Sequence, residues 1–241
     1  MKVEMSYGDK RHKQVVLAVV AGTLALFGLI ALVVAAWANV ANGSALCNTA
    51  VLVDSQDSKP AASAPEVIVY ASDLDESALY ELDFSKDPAS PGGTIIGLAN
   101  TGDELDPPPE NDPNVRFKVK VQSGIPYRCW VHMKVGTPKG KSQANKFWVQ
   151  FTGAIDKAGK GILKPGTDSY LTAQGPEREG WAWVEFKFEG SNSSESLVFF
   201  RAGGEATVRM QAGMEGVAFD QFILSPAKFL DKPPSEAIVK K

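Results

Sequence analysis

The chain has 241 residues, of which 44% are hydrophobic and 22% are charged, and its formal net charge is −3 at pH 7. This composition is typical of a folded protein and excludes a fibrous or disordered chain. The near-neutral charge provides no basic surface for nucleic acid, and 2 cysteines are too few for a disulfide scaffold or a cysteine metal cage.

The first element is an apolar segment, residues 15–38, that contains no charged residue. As a helix it would be about 36 Å long, enough to cross a hydrocarbon core of about 30 Å. A secretory signal peptide is the alternative, because Ala36, Trp37 and Ala38 resemble a cleavage site. The apolar core of a signal peptide has only about 7–15 residues, however, so we predict an uncleaved transmembrane helix.

Basic residues lie on one side of this segment only. No basic residue follows it until Lys59. Those before it are Lys2, Lys10, Arg11 and Lys13. The positive-inside rule therefore places residues 1–14 in the cytoplasm. The sequence predicts a single-pass protein of the cytoplasmic membrane, held in the lipid bilayer, whose C-terminal part is periplasmic or extracellular.

One side of the predicted membrane helix carries small side chains at three- and four-residue spacings. They are Ala18, Ala21, Gly22, Ala25, Gly28, Ala31 and Ala35. Such strips allow another helix to approach closely, which predicts membrane-protein partners. The alternative is that alanine and glycine are simply common in membrane helices.

Residues 39–65 are rich in Ala, Ser, Asn and Asp and show no sustained periodicity, so they are interpreted as a linker. Cys47 lies in this linker and Cys129 in a predicted strand. The outside compartment permits a disulfide between them, but it would tie a tether to a core, and we favour two free thiols.

Residues 66–230 alternate between apolar and polar side chains in short runs separated by Gly, Pro, Asn and Asp, which is typical of antiparallel strands. Such runs lie at residues 115–121, 127–135, 147–151, 181–188 and 206–212. Residues 103–113 are acidic and proline-rich, so they form a surface loop. We predict an all-β sandwich of the jelly-roll type, followed by a C-terminal tail at residues 231–241.

The predicted outer domain lacks the usual catalytic groups. It has one histidine, His132, and no G-x-S-x-G elbow. Cys129 falls on the apolar side of its strand, where a thiol is inert. The stretch at residues 136–142 has three rather than four residues between its glycines, so it is a basic hairpin loop rather than a phosphate-binding loop. We predict that the protein has no catalytic residue and is not an enzyme.

Aromatic and hydrogen-bonding side chains occupy the polar side of several predicted strands. They are Trp130, Trp148, Trp181, Trp183, Arg128, Gln150, Arg209 and Gln211. Flat rings stack on sugars or fill protein hot spots, while Arg and Gln provide orienting hydrogen bonds. These residues are the predicted ligand or partner surface. Packing of each tryptophan beneath a loop is the alternative.

The order of local patterns resembles that of a known bacterial extracellular module. The patterns are VIVYASDL (67–74), GIPYRCWVHMKV (124–135), FWVQFTGAID (147–156), GWAWV (180–184) and ATVRMQAGMEGVAFDQFILSP (206–226). Together they resemble carbohydrate-binding modules of the galactose-binding-like jelly-roll superfamily. The resemblance implies that fold, and it implies sugar binding through exposed aromatic rings at a loop edge or on a sheet face.

The resemblance also bears on metal binding. Members of this family often carry a structural calcium held by an acidic residue near the first strand and an aspartate in the last. Asp220 matches the second position, but residues 70–73 lack the usual glutamate pair. We therefore expect no cofactor, with a structural calcium at Asp220 as the alternative.

Two functions remain open from the sequence. The one we favour is a non-catalytic accessory or assembly subunit of a larger membrane complex, of which an energy-transducing complex is one example, with the sandwich as its interaction module. The strip of small residues and the lack of a catalytic domain support it. The alternative is a membrane-tethered protein that binds a glycan of the cell envelope, which the family resemblance supports.

Overall fold

The structure is a computed structural model that describes residues 64–99, 103–136, 145–191 and 195–240. The predicted membrane helix, its strip of small residues, Cys47 and almost all of the linker lie outside the described residues, and so does most of the basic hairpin loop. Those predictions therefore stay predictions. Within the described ranges, no helix is long and apolar enough to cross a membrane.

The described part of the chain is built from strands, and its helical residues form two short 3₁₀ turns, Ala71–Asp73 and Glu76–Ala78. The strands are β1 (Val67–Tyr70), β2 (Leu79–Tyr80), β3 (Asp83–Lys86), β4 (Thr94–Gly97), β5 (Asn114–Val121), β6 (Arg128–Val135), β7 (Lys146–Phe151), β8 (Ala154–Ile155), β9 (Leu171–Gln174), β10 (Gly180–Glu185), β11 (Phe199–Phe200), β12 (Gly204–Ala212) and β13 (Val217–Ser225). The prediction of an all-β domain is confirmed.

Most strands belong to two antiparallel sheets. The six-stranded sheet has the order β10-β6-β13-β4-β3, and β1 also pairs with β13. The five-stranded sheet has the order β2-β5-β12-β7-β9, while β8 and β11 form a small separate pair. The chain crosses repeatedly from one large sheet to the other, between β1 and β2, β2 and β3, β4 and β5, β5 and β6, β6 and β7, β9 and β10, and β12 and β13.

The two large sheets share one hydrophobic core. In β5 the residues Val115, Phe117 and Val119 are buried, whereas Arg116 and Lys118 between them are exposed, as the alternation predicted. Across the core, the ring of Phe117 meets that of Phe222 in β13 edge-on at a centroid distance of 5.2 Å. Burying a side chain of this size contributes about 1.5–3 kcal/mol, so these inward rows hold the sheets together as a β-sandwich.

Strands β6, β7 and β13 are buried on both faces, apart from one position each in β6 and β7. The alternation was predicted for β6 and β7, and the structure covers the polar faces of these strands with other segments of the chain. The loop at residues 103–113 covers the outer face of the five-stranded sheet, where Gln211 donates to the Asp106 carbonyl at 2.8 Å. The C-terminal segment covers the outer face of the six-stranded sheet.

This C-terminal segment, residues 226–240, lies across strands β6, β10 and β13. Gln221 holds Ile238 by two hydrogen bonds, accepting from its backbone N–H at 2.9 Å and donating to its carbonyl at 2.7 Å. The indole N–H of Trp183 donates to the Glu236 carbonyl at 3.0 Å. Residues that the sequence suggested to be a simple tail therefore contact the sandwich.

Candidate functional site

A groove lies where the two sheets meet at one edge of the sandwich. Strand β9 ends the five-stranded sheet and β10 ends the six-stranded sheet. Just beyond β10, Thr172 and Lys187 exchange two backbone hydrogen bonds of 2.8 and 2.9 Å, which join the two edges. The groove at this junction therefore lies beside two sheet edges that are joined by backbone hydrogen bonds.

The groove has a volume of about 980 Å³ and is partly open to solvent. Its base is formed by strands β7, β9 and β10, one wall by residues 104–107 of the acidic loop, and the other by residues 187–191 after β10. Both walls are loops, while the base belongs to the sandwich. The base of the groove is thus formed by paired strands, while the residues of two loops determine the shape and charge of its walls.

An aromatic corner lies at the base of the groove. The rings of Trp148 and Tyr170 meet at 62° with their centroids 6.0 Å apart. Trp148 is only 4% exposed, so the more accessible ring is that of Tyr170. The Lys146 ammonium lies 5.7 Å from the centroid of the Trp148 ring, a cation–π contact at the same corner.

Gly213 provides the space for this tryptophan. A Cβ atom at position 213 would lie 3.0 Å from Cη2 of Trp148 and 3.1 Å from Cβ of Lys146. Those distances are shorter than ordinary van der Waals contact, so a larger residue would displace the indole ring. The position of the aromatic corner therefore depends on a glycine in a neighbouring segment of the chain.

Polar groups of both charges surround this corner. The charged lining residues are Glu104, Asp106, Glu185, Glu189, Lys146 and Lys187. The Lys146 ammonium lies 3.8 Å from the Glu104 carboxylate, a long and partly exposed ion pair that contributes little stability. Thr172, Gln174 and Ser191 add neutral hydrogen-bonding groups. The groove can therefore orient a polar ligand against an aromatic surface.

A network of buried polar side chains fixes the acidic-loop wall. Arg209 in β12 donates to the Oε1 atom of Gln150 in β7 at 3.3 Å, to Oε1 of Gln211, and to the Glu110 carbonyl at 3.0 Å. Gln211 in turn holds Asp106, a wall residue of the groove. Gln150, Arg209 and Gln211, which the sequence predicted as surface residues, thus lie together beneath the loop at residues 103–113. There they hold the loop residues that form one wall of the groove.

The other predicted residues lie on the outer face of the six-stranded sheet. Trp130 is 5% exposed and donates its indole N–H to the Phe229 carbonyl at 2.8 Å. Arg128 forms a buried ion pair with Glu185 and donates to the Leu230 carbonyl. Trp181 stacks on His132 with a centroid distance of 4.7 Å. These contacts bind the C-terminal segment or order the sheet.

Trp148 and Trp183 line the groove, and Arg128 contacts it through Glu185, whereas Trp130 and Trp181 lie apart from it. The sequence analysis missed Tyr170, which precedes β9 and lay outside the strands considered. It identified residues 103–113 as a surface loop, but not as a wall of a groove. The role of the predicted residues as a binding surface stays a prediction.

Asp220 occupies a β-bulge and not an open metal site. The pairing of β13 with β6 shifts between Phe219 and Gln221, so Asp220 is the extra residue. Its Oδ1 atom lies 2.7 Å from Nδ1 of His132, and its Oδ2 atom is buried without a hydrogen-bond partner. Among the residues described, no group of three or more His, Cys, Asp or Glu side chains could hold a metal ion.

Cys129 lies in the hydrophobic core at 0% exposure, as its place on the apolar side of the strand predicted. Burial raises the pKa of its thiol well above the ordinary value, and the nearby Glu185 raises it further. Thiolate is the nucleophilic form, so this cysteine is chemically inert in the folded protein.

Comparison with known proteins finds carbohydrate-binding modules among the similar solved structures. No family model and no curated protein matches it. Among solved structures it resembles the C-terminal CBM6 of LamC, a laminarinase from Zobellia galactanivorans, with a TM-score of 0.39 and 14% identity over 67% of this chain and 99% of that one.

It also resembles the carbohydrate-binding module CBM6cm-2 from Cellvibrio mixtus lichenase 5A in complex with cellotriose, with a TM-score of 0.40 and 11% identity over 67% of this chain and 97% of that one. A family 35 carbohydrate-binding module from Clostridium thermocellum matches with a TM-score of 0.31 and 12% identity over 66% of this chain and 98% of that one. Other matches are long enzyme chains, such as the isomalto-dextranase of Arthrobacter globiformis, of which only 21% is covered. Structural similarity this distant does not show which ligand, if any, this chain binds.

Proposed function

We propose that the outer domain is a non-catalytic glycan-binding module and that the groove between β9 and β10 is its binding site. The observation that carries the proposal is the aromatic corner of Trp148 and Tyr170 at the base of an open groove. A sugar ring presents an apolar C–H face and a rim of hydroxyl groups. The corner offers a surface for the first, and the surrounding side chains offer partners for the second.

The shape and charge of the groove favour a sugar chain over an apolar ligand. The groove is partly open to solvent, so a ligand larger than the groove itself can extend beyond it. Carboxylates such as Glu104 and Glu189 accept hydrogen bonds from hydroxyl groups, and Lys146 and Lys187 donate to them. An apolar ligand would leave these charged groups desolvated and unpaired, which costs free energy.

Substitution of Tyr170 tests this function. The purified full chain is screened against soluble polysaccharides by affinity electrophoresis, and Tyr170→Ala is compared with wild type on the ligand found. Loss of one stacking surface should weaken binding about ten-fold, equivalent to about 1.4 kcal/mol. The matched control is Tyr80→Ala, since Tyr80 is a 43% exposed tyrosine at the opposite edge of the same sheet.

The proposal fails if no polysaccharide binds, or if Tyr80→Ala weakens binding as much as Tyr170→Ala does. Gly213→Val provides a second variant that retains both aromatic residues of the corner, Trp148 and Tyr170, but alters the space around Trp148. It should also weaken binding, because its side chain would push Trp148 out of position. Unchanged affinity in both groove variants would remove the groove from consideration even where a glycan is bound.

The location of the module is part of the same proposal. Residues 15–38 would anchor it in the cytoplasmic membrane, and residues 39–65 would give it reach into the space outside. An accessory subunit of a membrane complex is the second candidate, supported by the strip of small residues in the anchor. Co-purification of a stable membrane partner in mild detergent, together with no glycan binding, would favour that candidate.

A further inference from the structure

A second, smaller pocket lies on the outer face of the five-stranded sheet, and it contains two arginines. Its volume is about 310 Å³, and its lining includes Arg116, Arg209, Thr152 and Thr207. Asn111 and Pro109 of the acidic loop border it, whereas other residues of that loop, 104–107, form a wall of the larger groove. Neither arginine lines the larger groove, so the two sites are distinct.

Arg209 is a buried cation without a described ionic partner. It is 3% exposed, and its three hydrogen-bond acceptors are the side-chain oxygens of Gln150 and Gln211 and a backbone carbonyl. All three oxygens are neutral. None of the ion pairs in the described residues includes Arg209. Buried charges in proteins are normally paired, so this guanidinium lacks a counter-charge.

A second cation stands directly opposite. Arg116 in β5 is the cross-strand partner of Arg209 in β12, and its Nε atom donates to Oδ1 of Asn114 at 3.2 Å. Like charges opposite one another destabilise a sheet. Burial lowers the pKa of Arg209, and the charge of Arg116 lowers it further. An anion between the two guanidinium groups would relieve this repulsion.

Asp112 is the carboxylate that acts on Arg209 electrostatically, and it forms no ion pair with either arginine in the described residues. Burial raises the pKa of the Asp112 carboxyl, and its Oδ2 atom has no hydrogen-bond partner. Asp112 therefore does not serve as the counter-charge of Arg209. When ionised, it repels an anion that enters the pocket.

The pocket also contains a neutral donor. The Thr152 hydroxyl oxygen accepts the backbone N–H of Thr207 at 2.8 Å, which leaves its O–H proton free to donate. Two guanidinium groups and a hydroxyl around a small cavity are the groups that bind oxyanions in proteins, because guanidinium N–H pairs match the oxygens of carboxylate, sulfate and phosphate.

We propose that this pocket binds an oxyanion, either as a free ion or as an acidic substituent of a larger molecule, between Arg116 and Arg209. Arg209 in β12 is held in place by its hydrogen bonds to Gln150 and Gln211. Arg116 in β5 is exposed and would contact the bound anion from the solvent side. The pocket and the glycan groove have no lining residue in common, so we expect a neutral sugar and an anion to bind the same domain without competing for one site.

Calorimetric titration of the full chain in non-ionic detergent with sodium sulfate tests the site, with sodium chloride at equal ionic strength as the reference. Wild type should bind sulfate at one site, and Arg116→Gln should weaken binding about ten-fold by removing one charge-assisted contact. Lys118→Gln is the matched control, because Lys118 lies two residues further along β5, is exposed and pairs with Glu205 at 2.7 Å. Its affinity should equal that of wild type.

Asp112→Asn provides a variant with the opposite sign. Removal of the neighbouring negative charge should tighten sulfate binding by about two-fold, a small effect because Asp112 is not in ion-pair contact with either arginine. Sulfated dextran compared with neutral dextran then separates an acidic substituent from a free ion as the ligand.

The proposal is overturned if wild type shows no sulfate binding, if Arg116→Gln binds like wild type, or if Lys118→Gln loses as much affinity as Arg116→Gln. Tyr170→Ala should leave sulfate binding unchanged. Failure of the glycan groove therefore cannot be mistaken for failure of this site.

Discussion

Gln150 shows how single buried polar side chains organise the outer face of the five-stranded sheet. It is 0% exposed, and its Nε2 atom donates to three carbonyls of the following loop, those of Lys164, Thr167 and Ser169, at 3.1, 2.7 and 3.1 Å. Its Oε1 atom accepts from Gly166 and Arg209. One amide thus connects β7, β12 and the loop at residues 164–169.

Replacement of Gln150 by leucine should therefore destabilise the fold. Each buried group left unsatisfied costs about 1–3 kcal/mol, but the loop carbonyls regain water, so we expect the free energy of unfolding to fall by about 2 kcal/mol. Urea unfolding followed by tryptophan fluorescence measures it. Gln122→Leu, at an exposed glutamine, should stay within about 0.5 kcal/mol of wild type. Equal stability of the two variants would contradict the role of the amide.

Cys129 gives a chemical test of the core. Because burial holds its thiol pKa well above the ordinary value, the thiol should not react with iodoacetamide at pH 8 while the protein is folded. The measurement is mass spectrometry of labelled protein in a Cys47→Ser background. Addition of urea should make Cys129 reactive. Rapid labelling of the native protein would show that this part of the core opens.

At the residue scale, the alternation in the sequence predicts which face of the sheet each strand residue lies on. It does not predict which polar residues are covered by other segments of the chain. Arg209 and the Glu110 carbonyl that it binds are 99 residues apart, and Trp130 and the Phe229 carbonyl are also 99 apart. Alternation is a local property of the chain. The covering segments come from distant parts of it, so exposure of these polar faces could not be read from the strands alone.

At the scale of elements, the C-terminal segment acts as a strap over the six-stranded sheet. Ile238 packs against a small cluster whose buried residues are Trp130, Ile223 and Phe229, and its backbone is held by Gln221. The neighbouring Val239 is 73% exposed. Adjacent residues of similar chemistry thus have opposite environments, because an extended segment presents alternate side chains to the sheet.

We expect Ile238→Ala to lower the free energy of unfolding by about 1–2 kcal/mol, less than a fully buried isoleucine would cost, because Ile238 is partly buried. Val239→Ala should change it by less than about 0.5 kcal/mol. Thermal unfolding of the two variants distinguishes them directly. If both match wild type, the strap contributes no measurable stability in solution.

The β-bulge in β13 is an element whose trace is visible in the sequence. Inward residues Val217 and Phe219 are two apart, whereas the next inward residue, Phe222, follows after three. This slip places Asp220 and Gln221 together on the outer face, one against His132 and the other against Ile238. The extra residue was predictable from the phase change, but its partners were not, because neither lies near it in sequence.

At the scale of the whole domain, the sandwich follows from periodicity and the groove does not. Inward rows of Val, Phe and Met on each strand are sufficient to bring two sheets together around one core. The groove requires β9 and β10 to lie side by side. It also requires glycine at position 213, next to Trp148, and the two loops that form its walls. These features result from packing between distant parts of the chain. Local periodicity therefore gave no indication that Tyr170 lies in the groove.

The membrane tether is the last feature that can be tested on the whole molecule. If residues 15–38 form an uncleaved anchor with the N-terminus inside, the full chain should remain in the membrane fraction after a salt and carbonate wash, because about 24 apolar residues anchor far more strongly than surface charges. Externally added protease should degrade the domain in spheroplasts and leave a short N-terminal fragment, which an N-terminal epitope tag detects by immunoblot.

A variant with Lys2, Lys10, Arg11 and Lys13 all changed to Gln provides the control for orientation, since it removes the charge bias without altering the apolar segment. We expect part of this variant to be protected from protease. Release of wild-type protein into the soluble fraction, with a mature N-terminus near residue 39, would show that the segment is a cleaved signal peptide. The domain would then diffuse freely, and its local concentration near envelope glycans would no longer be set by the linker.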